Sequence, residues 1–270
     1  MNSKNLYRRR ANILGVGVDA IDMKGATEIV FDALENSRKG YVCVTGVHGV
    51  IESQTSDDLK QITNESLMTT PDGMPTVWVG RLQGHKNMRR VYGPDLMLEI
   101  CRESVAKGYR HFFYGGNEGI AEQLAVTLAE MFPGIQIAGT YTPPFRPLTA
   151  REEISLAATV RRQKPDIFWV GLSTPKQEKF MAEYIGKLDT KVMLGVGAAF
   201  DVHTGKMQDS PEWIKRLGMQ WFHRLVQEPR RLGKRYGVIV PLFIYKIFLQ
   251  FAGAKKYQIE PDDFKNRKPA

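Results

Sequence analysis

One candidate for acid–base chemistry is Asp72, which the string TTPDGMP places between a proline and a glycine. A carboxylate held at such a bend could accept the proton of a substrate hydroxyl as a general base. Pro-Asp-Gly is also ordinary turn chemistry, because proline fixes φ and both Asp and Gly tolerate a tight bend. Taken alone, the string favours the turn.

Two further strings place polar or small residues where a predicted strand meets a helix. In HFFYGGNEGIAEQL, the backbone at Gly115 and Gly116 could approach a phosphate at a helix start. The spacing is neither a P-loop nor the dinucleotide fingerprint, so a structural turn is equally well supported. In VGLSTPKQEKF, Ser173 or Thr174 fits a helix cap, which leaves Gln177 without a structural role.

The string GVGAAFDVHTGK ends an apolar run with Asp201 and His203. A carboxylate that follows a strand can accept ribose hydroxyls, while a turn-forming Asp with a solvated His explains the string equally well. His48 likewise fits the start of a helix. For Asp201, His203 and His48, a ligand-binding role and a purely structural role both stay open.

The elements that must position these residues alternate along the chain. Apolar runs such as GYVCVTGV and PDIFWVGL predict buried strands, and segments with helical spacing, such as MKGATEIVFDALENSR, separate them. NILGVGVDAI and KVMLGVGAAFDV are each predicted as a single strand. The alternation predicts an α/β fold, with a mainly parallel sheet and helices on both faces.

In such sheets, ligands bind beyond the carboxyl ends of the strands. The polar or glycine-rich strand exits should therefore meet at one edge of the sheet. They are Thr45, Asp72, 115–116, 142–145, 173–177 and 199–201.

The C-terminal part of the chain differs in charge and pattern. The formal net charge is +9, and residues 206–256 contain eleven Lys and Arg against three acidic residues. SPEWIKRLGMQWFHRLVQEPRR has apolar residues at steps of four, and VIVPLFIYKIFLQFA is short for a bilayer core that needs ~20 residues. We expect an α/β core over 1–204 and a helical, basic, amphipathic appendage over 205–270 that associates with an anionic membrane surface.

Cysteine usage and the polar, basic start MNSKNLYRRR bear on the compartment. Cys43 and Cys101 are the two cysteines in 270 residues, and neither a disulfide framework nor Cys/His metal spacing is seen. The protein is expected to be cytoplasmic and peripheral on the inner face of the cell membrane. The apolar appendage is also compatible with a homo-oligomer.

Six strings, taken in order, resemble the WecG/TagA/CpsF family of bacterial glycosyltransferases from Ile13 to Phe248. They are TPDGMPTVW, RRVYGPDLM, FFYGG, VGLSTPKQE, GVGAAFDVHTGK and SPEWIKRLGMQWFHRLVQEPRR. The resemblance implies a Rossmann-like core and an inverting transfer of a sugar from a UDP-sugar to a polyprenyl-diphosphate-linked glycolipid. The sugar would be a hexose, an N-acetylhexosamine or its uronic acid. The product would be an exopolysaccharide, a teichoic acid or a related surface polymer.

Carried over residue by residue, the resemblance implies that Asp72 is the catalytic base, with Thr45, Arg90 and Gln177 in the catalytic set. The appendage arginines would close over the diphosphate. The residues expected to contact the UDP-sugar are Gly115, Gly116, Ser173, Lys176, Asp201, Arg224, Arg230 and Arg231. The family usually has Asn two residues after the threonine, whereas this chain has Val47, so the identity of the donor sugar stays open.

No metal or other cofactor is expected. Many transferases of other families hold a metal ion with a DxD pair, but the aspartate pairs here are adjacent, at 57–58 and 262–263. Arginine side chains and helix-terminal amides are expected to stabilise the diphosphate instead.

Three other classes of protein fit parts of the sequence. A basic nucleic-acid-binding protein fits the charge, but the apolar run beside the basic residues argues against it, and no nucleic-acid partner is expected. A nicotinamide oxidoreductase fits the α/β pattern, but no G-x-G-x-x-G follows the first strand. A non-catalytic membrane-binding scaffold would leave Asp72→Ala silent.

Overall fold

The computed structural model describes residues 9–216 and 218–259. Its strands are β1 (Arg10–Ile13), β2 (Val16–Asp19), β3 (Gly40–Thr45), β4 (Met68–Pro71), β5 (Arg110–Gly115), β6 (Gln136–Tyr141), β7 (Ile167–Gly171) and β8 (Val192–Gly195). Six of them form one sheet in the order β4-β3-β8-β7-β5-β6, and every pairing in it is parallel. The predicted parallel α/β fold is confirmed.

Helices cover both faces of this sheet. Those of the core are α1 (Met23–Glu35), α2 (Val47–Glu52), α3 (Asp57–Asn64), α4 (Met74–Leu82), α5 (Gly93–Lys107), α6 (Ile120–Met131), α7 (Ala150–Gln163), α8 (Lys176–Tyr184) and α9 (Ala199–His203). Successive strand residues point to opposite faces, so Phe113 packs in one buried cluster with α1, α5 and α6, and Phe112 packs in another with α7 and α8. Two separate cores therefore hold the sheet.

The segment predicted as one N-terminal strand is in fact a two-stranded hairpin, β1–β2, outside the main sheet. Leu14 and Gly15 form its turn with φ of 55° and 83°. A two-residue turn with positive φ at both positions matches the twist of the flanking strands. The prediction was wrong because Leu-Gly lacks the usual Asn-Gly or Asp-Gly signature.

The string KVMLGVGAAFDV, predicted as one strand, divides into β8 and the short helix α9. Gly197, with φ of 53°, lies between them and turns the chain. Asp201 therefore lies in a helix rather than at a strand end. His203 is not solvated as the turn interpretation supposed, since its Nε2 lies 3.1 Å from the carbonyl oxygen of Pro94 in α5 and burial lowers its pKa.

Three helices, α10 (Glu212–Arg216), α11 (Gln220–Gln227) and α12 (Pro229–Phe251), follow the core. The apolar run 238–252 is not a separate segment, because α12 continues through Pro241 for 23 residues. Ile239 and Phe243 are buried against the β1–β2 hairpin and its neighbours. The Gln250 side chain accepts from the amide of Leu14 (2.9 Å) and donates to the carbonyl of Asn12 (2.7 Å).

Among the helices described, none combines the length and the apolar character needed to cross a membrane.

Candidate active site

A cavity of about 1040 Å³ lies between the carboxyl edge of the sheet and helices α11 and α12. Both the core and the C-terminal helices contribute to its walls. Of the residues expected from the sequence, those that line it are Asp72, Arg90, Ser173, Gln177, Asp201 and Arg224.

The backbone around Asp72 forms the bend that presents its carboxylate. The Asp72 amide donates to the carbonyl oxygens of Thr45 (3.0 Å) and Thr70 (3.1 Å). Gly73 follows with φ of 114°, and a Cβ on Gly46 would lie 2.5 Å from the Asp72 carbonyl oxygen. The turn and the presentation of the carboxylate are therefore parts of one structure.

The electrostatics of Asp72 combine burial with two positive charges. Burial raises the pKa of its carboxyl, and the nearby carboxylate of Asp95 adds to this effect. Arg90 and Arg224 oppose the rise. A carboxylate with a raised pKa is a better proton acceptor than a solvated one, provided it is ionised at the working pH.

The two arginines near Asp72 hold donors available for a ligand. Arg90 lies over the ring of Tyr92 (4.4 Å to the ring centroid), and its Nε and Nη2 are buried without a hydrogen-bond partner within 9–216 and 218–259. The Nη2 of Arg224 contacts the sulfur of Met207 at 3.6 Å, while its buried Nε lacks a partner among the same residues. Guanidinium donors in this state suit a diphosphate.

Gln177 is held by its neighbour, Glu178. Both side chains are buried, and Glu178 Oε1 accepts from Gln177 Nε2 (3.1 Å) and from the hydroxyl of Thr174 (2.8 Å). Burial raises the pKa of Glu178, and the hydrogen bonds from Thr174 and from the Gln177 NH₂ oppose that rise by favouring the ionised, accepting carboxylate. The Gln177 Oε1 is left without a partner in the described part of the chain and is available to accept from a ligand.

The capping prediction for Ser173 or Thr174 is wrong. Helix α8 has Pro175 at its N-cap and no side-chain cap bond, and the Thr174 hydroxyl donates to Glu178 instead. Ser173 adopts φ of 63° at the cavity wall. Lys176 is exposed and does not line the cavity.

Other expected residues lie outside the cavity wall. Thr45 is buried and supports Asp72 through its carbonyl oxygen. A Cβ on Gly115 would lie 2.6 Å from the Gly171 carbonyl oxygen, so close packing of β5 on β7 requires this glycine, and neither it nor Gly116 lines the cavity. Arg230 is exposed and lies away from the wall. The side chain of Arg231 lies outside the described residues.

The wall also includes residues that the sequence did not single out for a role in the site, among them Trp78, Asn117 and Arg235. Arg235 belongs to a basic run whose spacing does not distinguish its members. Asn117 follows the glycine pair by one residue, and Phe145 lies in a strand-exit loop that the topology had marked. His48 also lines the cavity, with its Nε2 3.3 Å from Glu52 Oε1.

Within the described ranges, no cluster of three or more His, Cys, Asp or Glu side chains could hold a metal ion.

The parallel sheet places a carboxylate and two guanidinium groups in one cavity at its carboxyl edge. An α/β protein with such a site is suited to bind an anionic ligand. The chain matches the model of the glycosyl transferase WecG/TagA/CpsF family over residues 11–257, and it belongs to that family. The resemblance carried by the six strings is thereby confirmed.

Two relatives show the extent of the similarity. The chain is 27% identical over 205 residues to the N-acetylglucosaminyldiphosphoundecaprenol N-acetyl-beta-D-mannosaminyltransferase of Bacillus subtilis (strain 168), covering 76% of this chain and 77% of the relative. The protein of the same name from Staphylococcus aureus (strain MRSA252) is 23% identical over 240 residues, or 88% and 92% of the two chains. The protein is therefore a glycosyltransferase by family.

Replacing Asp72 by Asn should stabilise the fold at neutral pH. The pKa of Asp72 is raised on folding, so its contribution to stability is present when it is protonated and is lost as pH rises through the folded-state pKa. The unfolding free energy of the Asn variant should exceed that of the wild type at pH 8, and the difference should shrink toward about pH 4, where the unfolded carboxyl is half protonated. Urea denaturation at both pH values measures this. A wild type more stable than the variant at pH 8 would contradict it.

Replacing Glu178 by Leu should lower activity, because the Gln177 side chain loses the hydrogen bond that orients it. Loss of the orienting bond is expected to lower kcat/KM for sugar transfer about tenfold. The same change made in a Gln177→Ala background should have little further effect, whereas Glu178→Gln, which can still accept, should retain most of the activity. A double-mutant cycle measures the coupling. Equal losses in both backgrounds would mean that Glu178 has only a structural role.

Proposed function

We propose that the protein is an inverting glycosyltransferase that moves a hexose, an N-acetylhexosamine or its uronic acid from a UDP-sugar to a polyprenyl-diphosphate-linked glycolipid. The observation that carries the proposal is the partly desolvated Asp72 carboxylate, which shares a cavity at the sheet edge with Arg90 and Arg224. The relatives, whose names give an N-acetylglucosaminyl-diphosphoundecaprenol acceptor, support the choice of acceptor. The product is an exopolysaccharide, a teichoic acid or a related surface polymer.

In this proposal, Asp72 removes the proton from the acceptor hydroxyl as the hydroxyl attacks the anomeric carbon opposite the departing UDP. The new glycosidic bond forms as the bond to the diphosphate oxygen breaks, so the anomeric centre inverts. Arg90 and Arg224 stabilise the negative charge that develops on the leaving diphosphate. Gln177 accepts a hydrogen bond from a substrate hydroxyl or N–H through Oε1.

The donor end of the site is proposed to include Ser173 and Asp201, which share the wall with Asn117. Val47, at the position where the family usually has Asn, also lines the cavity. An apolar side chain there cannot form the hydrogen bond that Asn could offer to a sugar substituent. The donor therefore need not be the N-acetylmannosamine donor suggested by the names of the relatives.

Sugar transfer is best tested by incubating the purified protein with a panel of UDP-sugars and a short-chain polyprenyl-diphosphate acceptor. Acceptor-dependent release of UDP is expected with at least one donor, and addition of EDTA should leave it unchanged, since arginines carry the role of a metal in this proposal. Asp72→Asn should lower kcat by about a hundredfold or more while UDP binding, measured by calorimetry, persists. Release of UDP without any acceptor product, or full activity in the Asn variant, would contradict the assignment.

The appendage is proposed to place the protein on the inner face of the cell membrane. On α12, an apolar stripe of exposed side chains lies outside the cavity, at spacings of seven, three and three residues: Val238, Tyr245, Phe248 and Phe251. Lys234 and Arg230 lie at the N-terminal end of the helix and are exposed. Apolar side chains flanked by cations suit the boundary between acyl chains and anionic headgroups.

Replacing Phe248 by Glu should weaken binding to vesicles that contain anionic lipid. Phe248 is 67% exposed on the stripe, and a carboxylate there both removes apolar area and repels the headgroups. The matched control is Val126→Glu on α6, which is 59% exposed and lies outside the appendage. Vesicle flotation measures binding. Equal flotation of the wild type and the Phe248 variant would exclude the stripe as the membrane surface.

A further inference from the structure

The cavity wall holds a third guanidinium, and it lies on a different element of the fold from Arg90 and Arg224. Arg235, on α12, lines the wall, and its buried Nε lacks a hydrogen-bond partner in the described part of the chain. Its charge acts on His48 of α2, whose pKa is lowered first by burial and then by Arg235. By contrast, the arginines that lower the pKa of Asp72 are Arg90 and Arg224. Two anionic groups could therefore be bound at once.

An apolar wall continues from Arg235 along the same face of α12. Ile239, Val240, Phe243 and Ile244 follow it at helical spacing, and all line the cavity. This stretch of helix extends for about 13 Å at 1.5 Å per residue. The wall is therefore long enough to accommodate an apolar chain attached to the group that Arg235 binds.

Helix α4 also contributes to the cavity wall. Trp78, Val79 and Leu82 line the same cavity, again at helical spacing. Leu82 is 73% exposed and Ile244 is 62% exposed, so both helices carry the cavity wall out to the protein surface. The groove thus leads from a buried cation to the surface that carries the apolar stripe of α12.

We propose that Arg235, with His48 beside it, binds the diphosphate of the lipid-linked acceptor, and that the groove between α4 and α12 binds the first isoprenoid units. The ligand class is a prenyl diphosphate, since the groove joins a guanidinium to an apolar channel that opens beside the membrane-facing stripe. This assignment rests on the proposed function. It separates the acceptor diphosphate from the donor diphosphate, which Arg90 and Arg224 bind.

The first test uses the full chain in solution, without vesicles, and farnesyl diphosphate as the probe. Calorimetry in the presence of saturating UDP should show farnesyl diphosphate binding more tightly than either inorganic diphosphate or farnesol. Arg235→Gln should weaken that binding about tenfold to a hundredfold, as expected for the loss of a hydrogen bond between charged groups. The matched control, Lys234→Gln, removes the same charge from an exposed neighbour and should bind like the wild type.

The groove is tested by a second pair of variants. Ile244→Ala removes apolar surface from the wall, while Phe248→Ala removes it from the same helix outside the cavity. The first should reduce the advantage of farnesyl diphosphate over inorganic diphosphate about threefold to tenfold, and the second should not. Thermal unfolding of each variant shows whether the fold is retained.

Several results would overturn the inference. One is an Arg235 variant that loses UDP binding but keeps farnesyl diphosphate binding. Another is an equal effect of the Arg235 and Lys234 changes on farnesyl diphosphate binding. A third is a wild type that binds farnesyl diphosphate and inorganic diphosphate with equal affinity. If no UDP-sugar supports transfer but farnesyl diphosphate binds as described, the proposed reaction fails while the prenyl diphosphate site stands. If transfer occurs and Arg235→Gln leaves the acceptor KM unchanged, the site fails while the reaction stands.

Discussion

The packing of α12 on the β1–β2 hairpin is the contact on which the cavity depends. Ile239 and Phe243 are buried against the hairpin cluster, and Gln250 satisfies two backbone groups at the hairpin turn. Since Arg235 and Val240 lie on the same helix, this contact also fixes where a cation and an apolar wall face the sheet edge. The two cores on the faces of the sheet do not include α12, so loosening the helix would open the site while leaving the sheet packed.

Within the cavity, the balance of charge around Asp72 couples ligand binding to basicity. Burial disfavours the ionised carboxylate, and Arg90 and Arg224 offset part of that cost. A diphosphate bound by these arginines would satisfy their unpartnered donors and cancel much of their effect on Asp72. The pKa of the carboxyl would then rise further, which makes Asp72 a stronger base when the donor is present. By the same coupling, the ionised carboxylate is better compensated in the empty site than in the donor-bound one.

Local pattern predicted the sheet well, because a buried parallel strand is a continuous apolar run that neighbouring residues alone define, as GYVCVT shows in β3. Asp72 could be placed at a strand exit for the same reason. The β1–β2 hairpin was missed because its Leu-Gly turn has no sequence signature, and α9 was missed because its apolar residues continue those of β8. Arg235 could not be distinguished within PRRLGKRYG, since only the packing of α12 decides which basic side chain enters the cavity. Gly115 and Gly116 were assigned to a ligand, but contact between β5 and β7 explains Gly115.

An acceptor that is lipid at one end and sugar at the other requires a protein surface that changes from apolar to charged in the same order. Helix α12 provides that change on two of its faces. Its outer face carries the apolar stripe, and its inner face runs from Ile244 at the surface to Arg235 inside the cavity. A helix lying on a membrane would therefore set the depth at which a lipid-linked diphosphate meets the cation, and thereby the distance of the attached sugar from Asp72. Side-chain packing and the hydrogen bonds of Gln250 hold the helix to the hairpin. The position of the helix on the membrane would therefore fix the position of the sheet edge, and no separate conformational change would be required.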